Sequence, residues 1–426
     1  MKTKIAEGRD FFTDHSVLLE PYEYLDAIRE QSPVGELTNR DVVMVTGFPE
    51  AVSALLNTKD LSSAITPAGP TAPLPFKPEG DDLTAQIAAH HHEFVGSEQF
   101  ISYDGARHSA SRSLLSSLFT PSRLKANEEY MYEVADRMVR DAVSKGGCEL
   151  LSEIATPYVT LIIADLLGVP VEDRLYLQEV LAVGPTPGSV DNADGGSSLE
   201  YMGAHAAKLF ERYFEERTAQ PRDDVLTRLV TAKHPDGSTP DRKELITLAM
   251  FLFAAGQDTS AKLLGNALLY LVENPDMQRT LRTERNLIAP FLEETLRLYG
   301  STKGTARLAT RNTRIGDMDI PAGTKVAISF AGANRDPRRW ENPNVVDLNR
   351  PKIKEHIAFG RGAHTCIGAP LARAEIRVII DRFLEHTSSI ILSEQHHGPA
   401  GNRKLAYEPS YIIRGLEKLY IELAPG

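Results

Sequence analysis

Apolar positions three and four residues apart recur along most of the chain. The pattern covers residues 19–31, 48–57, 104–118 and 122–145, and it continues through 149–184 and 197–233. That spacing predicts amphipathic helices. Segments with strand character are few: Val42 to Val45, Lys325 to Phe330 and the stretch near Leu419 to Leu423. Residues 63–81 and 185–198 are rich in Pro and Gly and predict loops. Neither has the length or bias of an interdomain linker, and no internal repeat is visible. The expected architecture is a single, mainly α domain over residues 1–426, with small β-sheets.

One predicted helix stands apart. Thr239 suits an N-cap with Pro240 at the first helical position, and the pattern runs to Glu273 before Asn274–Pro275 stops it. From Leu245 to Ala255 the residues are almost wholly apolar, so this helix, about 240–273, is expected to run through the core. Its middle nonetheless holds Gly256, Gln257, Asp258 and Thr259. A glycine followed by a buried acid and a hydroxyl weakens a helix where packing should be best. Two readings stand at this point: a local distortion with a chemical role, or a satisfied polar pair capping a kink.

Charge and cysteine usage narrow the function classes. The 426 residues carry 47 Lys and Arg against 58 Asp and Glu, a net charge of −11. That excess repels nucleic-acid phosphates and anionic lipid, so neither is an expected partner. No uncharged apolar run is long enough to span a bilayer, and Met1 to Val17 lacks an apolar core of signal-peptide length. A soluble, cytoplasmic protein is expected. The two cysteines, Cys148 and Cys366, are too few for a disulfide framework, a four-thiolate zinc site or a four-thiolate iron–sulfur cluster.

Cys366 lies in the run Phe359-Gly360-Arg361-Gly362-Ala363-His364-Thr365-Cys366-Ile367-Gly368. The glycines permit tight turns that a side chain would block. A helical pattern from Pro370 to Leu384 begins just beyond. The sulfur therefore sits near a helix N-terminus, where unpaired N–H groups favour the thiolate. A thiolate held among glycines suits an axial iron ligand. Cys148 reads as a small buried hydrophobe.

With these residues in view the chain resembles the cytochrome P-450 superfamily of haem-thiolate monooxygenases, in its soluble bacterial form. The 359–368 run is similar to the family's haem-ligand loop, and Ala255-Gly256-Gln257-Asp258-Thr259 to its distal-helix motif. Glu294-Thr295-Leu296-Arg297 is similar to the family's Glu-x-x-Arg pair, which Arg350 would complete as a buried ion cluster. Ala333-Asn334-Arg335-Asp336-Pro337 and Arg414-Gly415-Leu416 also resemble family segments. The resemblance implies a large triangular helical fold with the long central helix over haem b, and Cys366 as the iron ligand. By position it places Phe359, Gly360, Gly368, Ala255 and Gly256 against the haem. His108, Arg112, Arg307 and His364 would meet the propionates, because half-buried carboxylates need paired donors. Asp258 and Thr259 would deliver protons during O2 activation.

The implied reaction inserts one oxygen atom into a small to mid-sized hydrophobic substrate such as a terpenoid, aromatic or fatty compound. Hydroxylation is the main expectation; epoxidation and O-dealkylation use the same chemistry. Electrons would come from NAD(P)H through a ferredoxin and its reductase, because no Gly-x-Gly-x-x-Gly follows a predicted strand. Arg107, Arg112, Arg361, Arg373 and Arg377 are expected on the cysteine side, where they could steer an acidic partner to a monomeric enzyme. The substrate pocket is expected near 63–100, 170–205, the apolar half of the long helix and the segment after Arg297. There Thr302, Lys303 or Thr305 could present a polar group, although Lys303 facing solvent is the favoured reading. His90-His91-His92 is read as a loop, since adjacent histidines rarely close around one ion. The rival functions are a haem-binding sensor or carrier, which needs no proton relay, and a peroxide-driven peroxygenase.

Overall fold

The computed structural model describes residues 4–5, 8–116, 118–182, 188–189 and 195–426. It is mainly α with small sheets, as the apolar periodicity predicts. The central helix runs unbroken from Arg242 to Glu273, and Asp241 rather than Thr239 is its N-cap. Pro240 thus lies just outside the helix instead of opening it. Pro275 begins the next helix, so the stop at Asn274 falls where the sequence places it.

The largest core surrounds this helix. Leu248, Ala249, Leu252 and Phe253 meet Ile162 and Ile163 of the Thr156–Leu167 helix. Phe291 and Leu292 of Ile288–Tyr299 and Ile376, Val378 and Ile379 of Ala369–His386 complete the same cluster. The Ala369–His386 helix also lies along Pro121–Ser144, whose Met131, Val134, Ala135 and Val139 are fully buried. These stripes recur every three to four residues, which is why periodicity alone located the helices.

The main sheet has six strands in the order Lys4–Ile5, Val34–Leu37, Val42–Val45, Lys325–Ser329, Gly304–Ala309 and Leu61–Ser62. Val42 to Val45 pairs parallel with Lys325 to Ile328. Gly304–Ala309 was not legible as a strand, because Arg307 interrupts its apolar run and is itself buried. A second sheet joins Thr387–Leu392, Tyr420–Pro425 and Gly147–Glu149. Of the loop expected at 185–198, residues 185–187 and 190–194 lie outside the described residues, as does part of the 170–205 pocket segment.

A buried ion cluster ties the Ile288–Tyr299 helix to the chain before the cysteine loop. Glu294 accepts from Arg297 Nε at 2.7 Å and Nη2 at 2.9 Å, and from Arg350 Nε at 3.0 Å. Arg297 donates further to the carbonyls of Asn334, Pro343 and Val345, and Arg350 to those of Glu341 and Val345. The side chains of Glu294 and Arg297 have no accessible surface. Removing one member of such a group strands the others without compensation. Glu294→Ala is therefore expected to lower unfolding free energy by about 3–5 kcal/mol. Denaturant titration checks this, and a loss below ~1 kcal/mol would contradict the cluster's role.

Candidate active site

The Phe359–Gly368 segment folds as a closed loop. Gly360 and Gly362 hold φ of +71° and +75°, left-handed conformations that other residues adopt at a cost. The Cys366 N–H donates to the Phe359 carbonyl at 2.8 Å and closes the turn. Gly368 then caps the Ala369–His386 helix, with Pro370 in its first turn. The N–H groups of Gly368 and Ala369 both bond the sulfur. Burial pushes the Cys366 thiol up, against the pull of these two N–H groups, Arg112 and Arg373. The helix N-terminus thus favours the thiolate as expected, but burial outweighs it in the protein alone.

Four basic side chains converge on the same region. The imidazoles of His108 and His364 lie 4.1 Å apart between ring centres, and Phe100 stacks on His108 at 5.1 Å. Arg112, four residues along the helix from His108, is close enough to lower the Cys366 pKa. Burial lowers Arg112, and it takes Arg307 down to about 10. His364 falls to about 3, through burial and then the charges of Arg307, His108 and Arg112. The His108 Nε2 is buried with no hydrogen-bond partner. The nearest carboxylate to His364, Asp104 at 3.9 Å, already accepts from the Ser63 N–H at 3.0 Å and from Ser62 Oγ. Arg307 Nη1 donates to Thr66, Thr305 and the Ala306 carbonyl, and His364 Nε2 lies 3.1 Å from Ser63 Oγ, all neutral partners. Bases without a close carboxylate suit a ligand that brings its own.

On the central helix Ala254 and Ala255 keep accessible surface while Leu252, Phe253 and Gln257 are buried. Cys366 likewise has accessible surface although protein encloses it. Accessible alanines in the middle of a core helix mark an internal cleft rather than an outer face. A Cβ on Gly256 would meet only Ile163, at 3.8 Å. The Thr259 hydroxyl donates to the Ala255 carbonyl at 3.0 Å, and Gln257 Nε2 donates to Thr160 Oγ1 at 2.6 Å. The pair is satisfied, as the second reading expects, but the acid is not buried and the helix continues unbroken through both residues. Asp258 is 48% exposed and pairs with Lys262 at 2.8 Å. Hydroxyl and carboxylate are thus both satisfied within one turn of the helix.

Other expectations need correction. Lys303 does not face solvent: it is 2% exposed, its ammonium donates to the Leu18 carbonyl at 2.6 Å, and burial takes its pKa down to about 7. Thr302 bridges Ile413, and Thr305 Oγ1 accepts from Arg307 Nη1 at 3.1 Å. The polar atoms of Lys303 and Thr305 are thus engaged by protein. The arginine patch is largely neutralised: Arg107 pairs with Glu98 at 2.6 Å, Arg373 with Glu293 at 2.6 Å and Arg377 with Glu128. Arg361 stays exposed. His90 stacks on Phe76 and bonds Glu93 at 2.7 Å, and the described residues contain no metal-binding cluster of His, Cys, Asp or Glu. Burial takes the Cys148 thiol up to about 12, consistent with inert packing.

Sequence reasoning missed two carboxylates that brace the cysteine. Glu293 accepts from Arg373 at 2.6 and 3.0 Å and lies 3.0 Å from His356 Nε2. The Arg373 guanidinium lies 4.7 Å over the Phe359 ring. Glu375, on the cysteine helix, is pushed up to about 8 by burial and hydrogen-bonds Ser260 of the central helix. Neither acid carries a sequence signal of its own, since their partners are far away in the chain.

The chain is similar to known proteins over most of its length. The family model described as Cytochrome P450 matches residues 197–407. The solved structure of Mycobacterium marinum cytochrome P450 CYP150A6, in its substrate-free form, has a TM-score of 0.91 and 46% identity, covering 98% of this chain and 99% of that one. Cytochrome P450 107B1 of Saccharopolyspora erythraea is 32% identical over 76% of each chain. Vitamin D(3) 25-hydroxylase of Pseudonocardia autotrophica is 28% identical over 100% of this chain and 99% of its own.

The Glu293 brace makes a prediction for acid stability. Despite opposing desolvation, the hydrogen bonds and charges of His356 and Arg373 hold Glu293 at about 2, below its ordinary 4.5. A depressed carboxylate stabilises the fold above pH 4.5, and that contribution fades as pH falls through about 2. Glu293→Gln should cost on the order of 3 kcal/mol at pH 7, with the deficit shrinking toward pH 2. Unfolding measured across that range checks it; a deficit independent of pH would contradict the assignment.

Proposed function

The chain belongs to the cytochrome P450 family and is a P450 monooxygenase; from that premise we propose which residues operate it and on what. The observation that carries the assignment is the cysteine sulfur, with its two backbone donors, beside four under-neutralised bases. Cys366 would ligate the haem iron, with Gly368 and Ala369 donating to its sulfur. His108, Arg112, Arg307 and His364 would pair with the propionates. Ala255 and Gly256 would line one face, and Phe359 and Gly360 the other. When bound, the haem supplies the metal at which O2 is activated. The whole of residues 1–426 would serve this one site.

The protein's own part is proton supply and exclusion of water. Thr259 Oγ1 would exchange its bond to the Ala255 carbonyl for one toward the cleft, and donate there. Asp258, half exposed, would return the proton from solvent. Gln257, tied to Thr160, keeps this turn in register. The net reaction converts R–H, O2, NAD(P)H and H⁺ into R–OH, water and NAD(P)⁺. We assign R–H to mid-sized apolar compounds, a class that includes the compound in the name of the vitamin D(3) 25-hydroxylase relative. A ferredoxin-type carrier would dock at the cysteine side, where Arg361 and Leu56 are exposed. The absence of a membrane-spanning helix among the described residues is compatible with a cytoplasmic enzyme.

Compounds that shift the ferric Soret band identify the substrate class. With such a substrate, Thr259→Ala is expected to keep consuming NAD(P)H but to divert it to hydrogen peroxide. Coupling of electrons to product should fall by about tenfold or more. Wild-type coupling in Thr259→Ala would overturn its assigned role, and turnover by peroxide alone at the full rate would point to a peroxygenase.

A further inference from the structure

The acid of the distal motif does not stand alone. Lys262, one turn further along the central helix, donates to Asp258 at 2.8 Å and to Glu408 at 2.5 Å. Its side chain is 5% exposed, against 48% for Asp258 and 24% for Glu408. A buried ammonium is tolerated when opposite charge surrounds it, and here two carboxylates do. They come from different parts of the chain: Asp258 from the core helix, Glu408 from the segment that returns near the C-terminus.

The route of the lysine stem is also specified. A Cβ on Gly415 would lie 2.4 Å from Lys262 Cδ and 2.5 Å from its Cγ. The stem therefore crosses the glycine backbone in space that any side chain would fill. Around it the segment is pinned in register. The Glu408 N–H donates to the Gly415 carbonyl at 3.0 Å, and Asn266, one more turn along the helix, donates to the Arg414 carbonyl at 3.2 Å. Gly415 has a φ outside the left-handed region, so the backbone itself does not require glycine there. The lysine does.

We infer that Lys262 is a positioning residue for Asp258: threaded over Gly415 and anchored by Glu408, it fixes the half-exposed carboxylate that takes a proton from solvent and passes it to Thr259. Without that anchor an accessible Asp rotates among solvated rotamers, and its time at the reach needed for proton transfer falls. The lysine itself transfers no proton to the site. The inference rests on the reading of Asp258 as the proton-returning acid.

The test uses the haem-loaded enzyme with a Soret-shifting substrate and its redox partners. Lys262→Met keeps the length of the stem and removes the charge; Gly415→Ala keeps the charge and blocks the stem. Each is expected to lower coupling by about threefold or more, and the double variant no further than Lys262→Met, because both remove one interaction. A second readout needs no turnover. In the diamagnetic ferrous carbon monoxide form, the Asp258 carboxyl carbon resonance, assigned by its loss in Asp258→Asn, should move in the same direction in both variants. Glu408→Gln should move it less. Wild-type coupling in Lys262→Met alongside defective Asp258→Asn would overturn the lysine's role alone. Additive losses in the double variant, or an unmoved resonance, would do the same. Wild-type coupling in Asp258→Asn would instead overturn the reading of the acid. Should Lys262→Met fail to fold, Gly415→Ala and the resonance decide.

Discussion

Two adjacent carboxylates on the Ile288–Tyr299 helix hold the rest of the site in place. Successive helical residues point about 100° apart, so Glu293 and Glu294 serve different neighbours. Glu294 gathers Arg297 and Arg350 and, through them, the carbonyls of Asn334, Glu341, Pro343 and Val345. Glu293 gathers His356 and Arg373 on either side of the cysteine loop. Burying so many charges gives little net stability relative to a well-packed apolar core. What it gives is geometry. Each guanidinium has several fixed acceptors, and a displaced loop would leave them unmet.

The loop's chemistry follows from that placement. Arg373, held by Glu293, covers Phe359 and adds positive potential at Cys366. Left-handed glycines turn the backbone so that the sulfur meets the helix N-terminus. Accessible Ala254 and Ala255 and the Asp258–Thr259 pair sit on a helix that continues unbroken through them. Beside the cysteine, four bases converge with no close ion pair to a carboxylate among the described residues. Membership of the cytochrome P450 family accounts for the combination, and no single one of these features would identify it.

Local order was legible for the long helices and for three strands, while Val34–Leu37, Thr387–Leu392 and the Thr313–Ile320 hairpin, short and half polar, were not read. The central helix is found within three residues of its start, and Val42–Val45 and Lys325–Ser329 within one residue. The cysteine loop declares itself by glycines whose conformations are observed. Partners distant in sequence were not legible. Lys303 reads as a solvent-facing cation because nothing nearby shows the Leu18 carbonyl that receives it. Arg373 and Arg377 read as a surface patch because Glu293 and Glu128 lie 80 and 249 residues away. Asp258 reads as buried because its helix is; only the structure shows it half exposed and paired with Lys262. In each case the residue type was right and its partner decided the meaning.

Every proposed role depends on Cys366 as the ligand of a haem iron, and the carbon monoxide difference spectrum of the reduced protein reads that bond directly. Such ligation predicts the strongly red-shifted Soret band of a thiolate-ligated haem, and the loss of that band in Cys366→His. A histidine-type band in the unmodified protein, or a thiolate band that survives Cys366→His, would contradict it.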